Sequence, residues 1–196
     1  MSTLIFQKQS SLLEKTHNVF VKDNFTLTVI TDFTRLKNFS CSDDDLNDFF
    51  LNEAKDYKDQ LLAETYALTS TDNKKDIISL ISLNNDALKL QTNNQKRIIP
   101  NPKRKKSYPS VLISRLGVNK KYADNGIGSY LLTMVKEIFL TNNRTGCRFI
   151  TVEAYNKERV RNFYEINGFK YLLKEEDMTK KMETVPMYFD LKILHQ

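Results

Sequence analysis

The sequence of 196 residues has few of the side chains from which nucleophilic and metal sites are most often built. Its only cysteines, Cys41 and Cys147, lie far apart and without a pairing pattern, which predicts free thiols in a reducing compartment. The only histidines, His17 and His195, lie near the two chain ends. We therefore expect neither a Cys–His or Ser–His nucleophilic site nor a metal centre.

Long apolar runs are also missing. No stretch approaches the roughly 18–20 apolar residues that a membrane helix needs. The first residues, MSTLIFQKQSSLLEKTHNVF, mix polar and apolar side chains and have no small-residue cleavage pattern, which argues against a signal peptide. We therefore expect a cytoplasmic protein without a membrane partner.

The chain is not acidic overall, and its basic residues are not in excess along its whole length. The chain has 30 Lys and Arg against 24 Asp and Glu, a net charge of +6, and residues 96–106 (KRIIPNPKRKK) hold six basic residues and no acidic one. Outside this basic segment the charges balance, so the composition does not indicate a protein that coats nucleic acid with its whole surface. The segment is either a solvated connecting loop, which Pro100 and Pro102 favour, or a contact for phosphates.

Apolar periodicity predicts an α+β fold, with a central mixed β-sheet flanked by helices. A lead-in segment at residues 1–24 is expected to precede a single domain at 25–196. Amphipathic helices are predicted at about 42–58, 126–141 and 156–167, with Ser42 and Asn156 as N-caps and Gly168 ending the last helix. The acidic run Asp43–Asp45 is interpreted as helix capping rather than a metal site, because it coincides with a helix start. Strands are predicted at 25–31, 61–70, 76–85, 111–118, 147–155, 169–173 and 187–194.

The junction between the 111–118 strand and the next helix carries Gly126-Ile127-Gly128. Unpaired N–H groups of a first helical turn attract anions, and glycine lets a phosphate approach the backbone. A dinucleotide fingerprint would need a third glycine where Leu131 stands, and no Gly-Lys-Ser/Thr follows, so both nucleotide-binding motifs are discarded. Taken alone, the pair of glycines is either a phosphate site or a tight strand–helix turn.

A second motif follows in order. RLGVNKKYADNGIGSYLL (115–132) and VEAYNKERVRNFYEINGF (152–169) together resemble the GNAT superfamily of acyl-coenzyme A-dependent N-acetyltransferases, and the likeness is strong over about residues 111–173. Residues 46–68 and the RLGV strand are similar to a subgroup that includes toxins which acetylate the amino group of aminoacyl-tRNA. The resemblance implies acetyl-coenzyme A as co-substrate and no metal.

The resemblance also implies a cofactor site. The strands 111–118 and 147–155 would splay apart to admit pantetheine, and the 123–128 loop would hold the pyrophosphate. Ala123 stands where the family has Gln or Arg, and Asp124 adds an acid near the expected phosphates, which puts tight binding in question. The residues implied in cofactor binding are Leu116, Gly117, Val118, Ala123, Asp124, Asn125, Gly126, Ile127, Gly128, Ser129 and Asn156.

Tyr164 matches the family's frequent general acid. A phenol with a pKa near 10 can protonate the thiolate of coenzyme A as the acyl group departs. The alternative is a core aromatic residue at a helix end, and Phe163 and Phe169 are interpreted as packing residues. For the general base, either Glu153 or water is expected.

The acceptor is an amine that the sequence does not identify: a small molecule, a protein or aminoacyl-tRNA. The basic segment suits tRNA, whereas Lys120, Lys121 and part of the segment suit the 3′-phosphate of coenzyme A. A non-catalytic acyl-coenzyme A-binding module is the alternative to an enzyme, and a homodimer is expected by analogy only.

Overall fold

The computed structural model describes residues 19–100, 105–141, 143, 145–174, 177–179 and 181–195. The strands form an eight-stranded sheet in the order β1-β2-β3-β4-β5-β6-β8-β7, in which β5 and β6 are parallel, so the predicted mixed α+β fold is confirmed. The strands are β1 Val19–Lys22, β2 Phe25–Val29, β3 Glu64–Ser70, β4 Ile77–Leu88, β5 Tyr108–Val118, β6 Phe149–Tyr155, β7 Lys170–Tyr171 and β8 Thr184–Asp190. The helices are α1 Asp44–Asp48, α2 Ala54–Asp59, α3 Asn93–Lys96, α4 Ile127–Thr141 and α5 Glu158–Ile166.

The chain divides into two compact units. The first contains the described residues up to Ile81 together with Gly117–Ile127, and the second contains Ser82–Leu116 and the described residues from Gly128 onward. The predicted division into a lead-in segment at 1–24 and one domain at 25–196 stays a prediction. Strand β1 lies inside the predicted lead-in segment, where all four of its residues pair with β2. Exposed side chains at Val19 and Val21 alternate with partly buried ones at Phe20 and Lys22.

The core of the first unit is an aromatic cluster on a distorted helix. A π-helical turn, Phe49–Glu53, joins α1 to α2 and places Phe49 and Phe50 side by side in the interior. The Phe50 ring meets the edges of Phe39 and Phe49 at centroid distances of 5.6 Å and 5.5 Å. Ile30, Leu36 and Leu80 complete this cluster, so the helix that the sequence predicts at 42–58 is held mainly by its aromatic face.

The N-cap of α1 differs from the prediction. Asp43 is the cap, because its carboxylate accepts a hydrogen bond from the Leu46 amide at 3.1 Å, whereas Ser42 lies exposed one residue earlier. Asp44 and Asp45 occupy the first turn, where negative charge is favourable. The acidic run thus has the capping role expected of it, with the register shifted by one residue.

The second unit is built around β6, which pairs in parallel with β5 and antiparallel with β8. Helix α4 buries Leu131, Leu132 and Val135 as its apolar stripe predicts, and it also buries Lys136. The other apolar residues at helical spacing along α4, Ile127, Ile138 and Phe139, are only partly buried. A second apolar cluster joins Leu88, Leu90, Ile99, Tyr108, Phe149 and Tyr188.

Several predicted boundaries shift. Strand β4 continues to Leu88, three residues beyond its predicted end, and β8 begins at Thr184 rather than residue 187. Strand β7 is reduced to Lys170–Tyr171. No helix among the described residues combines the length and apolar character needed to cross a membrane.

The cap register gives a stability prediction. Asp43→Ala should lower the free energy of unfolding by about 1 kcal/mol, because the Leu46 amide loses its acceptor. Ser42→Ala removes a neighbouring side chain that makes no cap and should leave the midpoint of urea denaturation unchanged. Equal losses in the two variants would show that the cap lies elsewhere.

Candidate active site

The hydrogen-bonded ladder between β5 and β6 ends before either strand does. It runs from Ser110 opposite Phe149 to Ile113 opposite Val152, and the described residues Ser114–Leu116 and Glu153–Tyr155 of the second unit continue without pairing to each other. Strand β6 stays paired to β8 on its other side as far as Tyr155. The two strands thus part beyond Ile113 and Val152, as the predicted splay requires.

The glycine loop lies in the first unit. Asp124 and Gly126 both have left-handed backbone, with φ of 61° and 73°. A Cβ added at Gly126 would meet no atom within 4 Å, so this glycine borders open space. Asn125 donates from its side chain to the Ala123 carbonyl at 2.9 Å, which braces the turn. The Asp124 side chain is exposed. A loop in which left-handed and right-handed backbone conformations alternate, followed by the start of a helix, directs N–H groups outward and is suited to binding anions.

The approach to this loop is fixed by polar contacts within the first unit. The side chain of Asn119 accepts from the Lys121 amide at 3.1 Å and donates to the Ile77 carbonyl at 3.2 Å. The Tyr122 hydroxyl donates to Asp76 at 2.5 Å, and this hydrogen bond raises the pKa of Tyr122. Lys120 and Lys121 remain exposed beside the loop.

Gly117 has a packing role that the sequence motif does not reveal. An added Cβ would lie 3.1 Å from the Phe50 ring and 3.4 Å from the Cys41 sulfur, so the buried strand has room only for glycine. Its carbonyl accepts from the Ser79 hydroxyl at 2.7 Å. Glycine is thus required at this position by the core of the first unit, whatever the strand binds.

Tyr164 lies in the second unit, on the last turns of α5, and is 6% exposed. Its ring is flanked by Phe163 and Phe169 at centroid distances of 5.0 Å and 5.2 Å. Burial raises the pKa of Tyr164 well above its ordinary value, which keeps the phenol protonated at neutral pH. Among the described residues, its hydroxyl has no hydrogen-bond partner.

Asn156 does not cap α5. The N-cap is Lys157, and no side chain caps the helix there. The Asn156 amide instead donates to the carbonyls of Thr179 and Met182 at 3.2 Å and 2.9 Å, and its oxygen accepts from Arg161. The two amide bonds tie Asn156 to the loop before β8, and the bond from Arg161 ties it to α5.

Glu153 is exposed on β6, as expected for the last stretch of a central strand. Desolvation raises the pKa of this carboxyl, and the Thr184 hydroxyl donates to it at 3.4 Å. The charge of Asp86 adds to the increase.

Asp86, whose charge acts on Glu153, is a polar residue that the sequence analysis did not identify. It lies near the end of β4 and accepts hydrogen bonds from the hydroxyls of Thr151 at 2.6 Å and Ser110 at 3.2 Å. All three residues belong to the second unit. The strand was predicted to end at residue 85, so no pattern identified residue 86 as a sheet position.

The two cysteines are buried free thiols, as predicted. Burial raises the pKa of Cys147 to about 11 and also raises that of Cys41, so neither is a thiolate at neutral pH. Within the described part of the chain, no group of three or more His, Cys, Asp or Glu side chains is arranged to hold a metal ion.

The predicted site residues thus fall in both units. Gly117, Val118 and the loop from Ala123 to Ile127 belong to the first, and the others belong to the second. Those others are Leu116, Gly128, Ser129, Glu153, Asn156 and Tyr164.

Comparison with known proteins agrees with this architecture. Residues 39–191 match the family model of the acetyltransferase (GNAT) domain. A crystal structure of a tyrosine-to-phenylalanine mutant of KacT superposes with a TM-score of 0.71 and 23% identity, covering 89% of this chain and 99% of that one. AtaT complexed with acetyl-methionyl-tRNAfMet gives 0.68 and 20%, covering 87% and 97%. AtaTR bound with acetyl-coenzyme A gives 0.66 and 21%, covering 89% and 100%. No curated protein matches the sequence.

Gly126 lies in the glycine loop and Gly168 follows the end of α5, and substitutions at the two positions should lower the free energy of unfolding by different amounts. Gly126→Ala should cost about 1–2 kcal/mol, because alanine is strained at positive φ even in open space. Gly168→Ala should cost more, because φ is 81° there and the added Cβ would lie 3.0 Å from the Phe189 ring. Gly126→Asn should lose less than Gly126→Ala, since asparagine tolerates left-handed backbone. Urea denaturation of the three variants measures this order, and an unaffected Gly126→Ala would contradict the loop conformation.

Proposed function

Because the chain belongs to the acetyltransferase (GNAT) family, we propose that it transfers an acetyl group from acetyl-coenzyme A to a primary amine, with Tyr164 as general acid. The observation that carries the proposal is the Tyr164 hydroxyl. It belongs to a buried residue whose ring packs against other aromatic rings, and no described residue accepts its proton. A core aromatic residue with a structural role alone would be expected to satisfy its hydroxyl locally.

The proposed cofactor residues fit an acyl-coenzyme A in two ways. In the second unit, β5 and β6 part beyond Ile113 and Val152, where pantetheine would lie against the strand that carries Leu116. Gly128 and Ser129, in the first turn of α4, suit a phosphate of the cofactor. In the first unit, open space borders Gly126, so a ligand can approach the loop backbone there. Asp124 lies exposed beside this loop, so its carboxylate can remain in water at little cost.

The chemistry that these residues support is direct transfer. The amine nitrogen forms a bond to the thioester carbonyl carbon, the carbon–sulfur bond breaks, and Tyr164 donates its proton to the leaving sulfur. The proton lost by the amine passes to Glu153 or to water. Desolvation favours Glu153 for this role, because it moves the pKa of the carboxyl toward the neutral range in which a general base is effective.

Aminoacyl-tRNA is the acceptor that we favour, and the basic segment supports it. Residues 101–104 lie outside the described residues, but the flanks of the segment are anchored within the second unit. Ile99 is buried in the apolar cluster, and the Arg148 guanidinium donates to the Ile98 carbonyl at 2.9 Å. The Lys105 amide donates to the Tyr108 hydroxyl at 2.7 Å.

This anchoring weakens the interpretation of residues 96–106 as a merely solvated loop. Lys96, Arg97, Lys105 and Lys106 all remain exposed on these fixed flanks, where they can contact phosphates. The likeness to AtaT, whose complex contains acetyl-methionyl-tRNAfMet, supports the same acceptor class. The expected homodimer and cytoplasmic location stay predictions.

Tyr164→Phe tests the general acid. We expect kcat to fall by about 100-fold or more with KM for acetyl-coenzyme A nearly unchanged, because only proton donation is lost. Tyr188→Phe removes another buried tyrosine hydroxyl of the second unit and should retain activity. Since burial raises the pKa of Tyr164 and the protonated form is active, this residue should cause no loss of rate as the pH rises to about 10.

Two results would contradict the proposed enzymatic activity. Tyr164→Phe with full activity would remove Tyr164 from the mechanism. Wild-type protein that binds acetyl-coenzyme A in calorimetry, yet acetylates no member of a panel of amines, peptides and aminoacyl-tRNAs, would favour the non-catalytic binding module.

Charge neutralisation tests the acceptor. Replacing Lys105 and Lys106 by Gln should weaken aminoacyl-tRNA binding and lower the slope of log K against log salt by about 1–2, because up to two phosphate contacts are lost. The same change at Lys74 and Lys75, an exposed pair in the turn before β4, is the matched control and should have no effect. Unchanged affinity and salt slope in the first variant would exclude these lysines from RNA binding. A kcat/KM of the wild-type protein for a small amine equal to that for aminoacyl-tRNA would argue against a tRNA acceptor.

A further inference from the structure

Lys136 is a buried lysine with no described counter-ion. It is 8% exposed on the inner face of α4, and no carboxylate in the described part of the chain pairs with it. Its ammonium lies 4.1 Å from the centroid of the Phe189 ring and 5.6 Å from that of Phe169. Desolvation lowers the pKa of this lysine. An unpaired buried charge is costly, so a residue of this kind calls for a specific role.

The partner of the ammonium is the backbone at the end of α5. The Lys136 Nζ donates to the carbonyl oxygen of Asn167 at 2.6 Å, and Asn167 is the C-cap of the helix that carries Tyr164. A cation at a helix C-terminus is favoured by the helix dipole. The lysine thus fixes the end of that helix to α4.

Asn167 is held to α4 a second time through its side chain. Its amide donates to the Ser129 hydroxyl at 2.9 Å and to the Phe163 carbonyl at 2.7 Å. Ser129 and Lys136 are seven residues apart in α4, so they lie on one face of the helix and contact Asn167 from two turns. All of these residues belong to the second unit.

This arrangement bears directly on the Tyr164 ring. The Phe169 amide donates to the Tyr164 carbonyl at 3.0 Å, which closes the turn after Asn167. The Phe169 ring packs against Tyr164 on one side and against Phe189 at 5.7 Å on the other. Phe169 is therefore packed against Tyr164 and also lies close to the Lys136 ammonium.

The same residue also orients Ser129. Because the Ser129 oxygen accepts from the Asn167 amide, its own proton is directed elsewhere, and no described residue accepts it. Ser129 lies in the first turn of α4, where a phosphate would find an unused hydroxyl donor.

We propose that Asn167 is a positioning residue shared by two parts of the site: it holds the helix that carries Tyr164 and aims the Ser129 hydroxyl at the coenzyme A pyrophosphate, while Lys136 holds Asn167. The inference rests on the proposed function, in which Tyr164 is the general acid and Ser129 faces coenzyme A. Neither Asn167 nor Lys136 touches the reacting atoms.

Lys136→Met separates positioning from stability. Exchanging a buried unpaired charge for an apolar side chain should leave the melting temperature equal to or above that of the wild type. The kcat should nevertheless fall by about tenfold or more, because the helix end that carries Tyr164 is released, while KM for acetyl-coenzyme A changes little. A lysine with only a structural role would give the opposite pattern, a lower melting temperature with unchanged kcat.

A double-mutant cycle on Ser129 and Asn167 completes the test, and it also serves if Lys136→Met does not fold. Ser129→Ala should raise KM for acetyl-coenzyme A with kcat retained, and Asn167→Ala should raise KM and lower kcat. The double variant should raise KM no further than Asn167→Ala alone, because the two residues share one hydrogen bond. Additive changes in KM, or unaltered kcat in both Lys136→Met and Asn167→Ala, would overturn the positioning role. A wild-type protein without turnover would instead overturn the proposed function, and this inference with it.

Discussion

The structure depends most on where one ladder of backbone hydrogen bonds ends. Parallel pairing between β5 and β6 stops at Ile113 and Val152, although both strands continue. The sheet is kept intact because β6 remains paired to β8 as far as Tyr155. Buried backbone groups are costly when they lack partners, so a parting between two neighbouring strands is the feature from which the proposed cofactor site is argued.

Burial determines the chemistry available to Tyr164. Aromatic rings around Tyr164 keep its phenol uncharged, which suits a proton donor. The same stack continues to Lys136, whose charge is retained in an apolar setting by the Asn167 carbonyl and two ring faces. A costly buried ammonium and a buried tyrosine whose hydroxyl has no partner among the described residues thus occur in one aromatic cluster, as expected where function is gained at some expense of stability.

Much of this could be predicted from the sequence, because apolar periodicity and the two motifs depend on local patterns. The succession of strands from β2 onward along the chain, the glycine turn and the glycine that ends the Tyr164 helix are predicted on that basis, whereas the order of the strands within the sheet is not. The caps were wrong by one residue: Asp43 and Lys157 hold the positions assigned to Ser42 and Asn156, since neighbouring polar residues compete for a cap and tertiary contacts decide. Burial of Lys136 could not be predicted, because it depends on contacts with residues about thirty and fifty positions away.

Hydrogen exchange in the presence of acetyl-coenzyme A reports directly on cofactor binding at the glycine loop. We expect slower exchange of the amides in the loop and first turn at residues 125–129, while the hairpin of β1 and β2 at residues 19–29 exchanges as before. Ligand contact with unpaired amides protects them locally, whereas general stabilisation protects the whole chain. Exchange at residues 125–129 that is unchanged by acetyl-coenzyme A, or that slows only in step with the hairpin, would contradict the account.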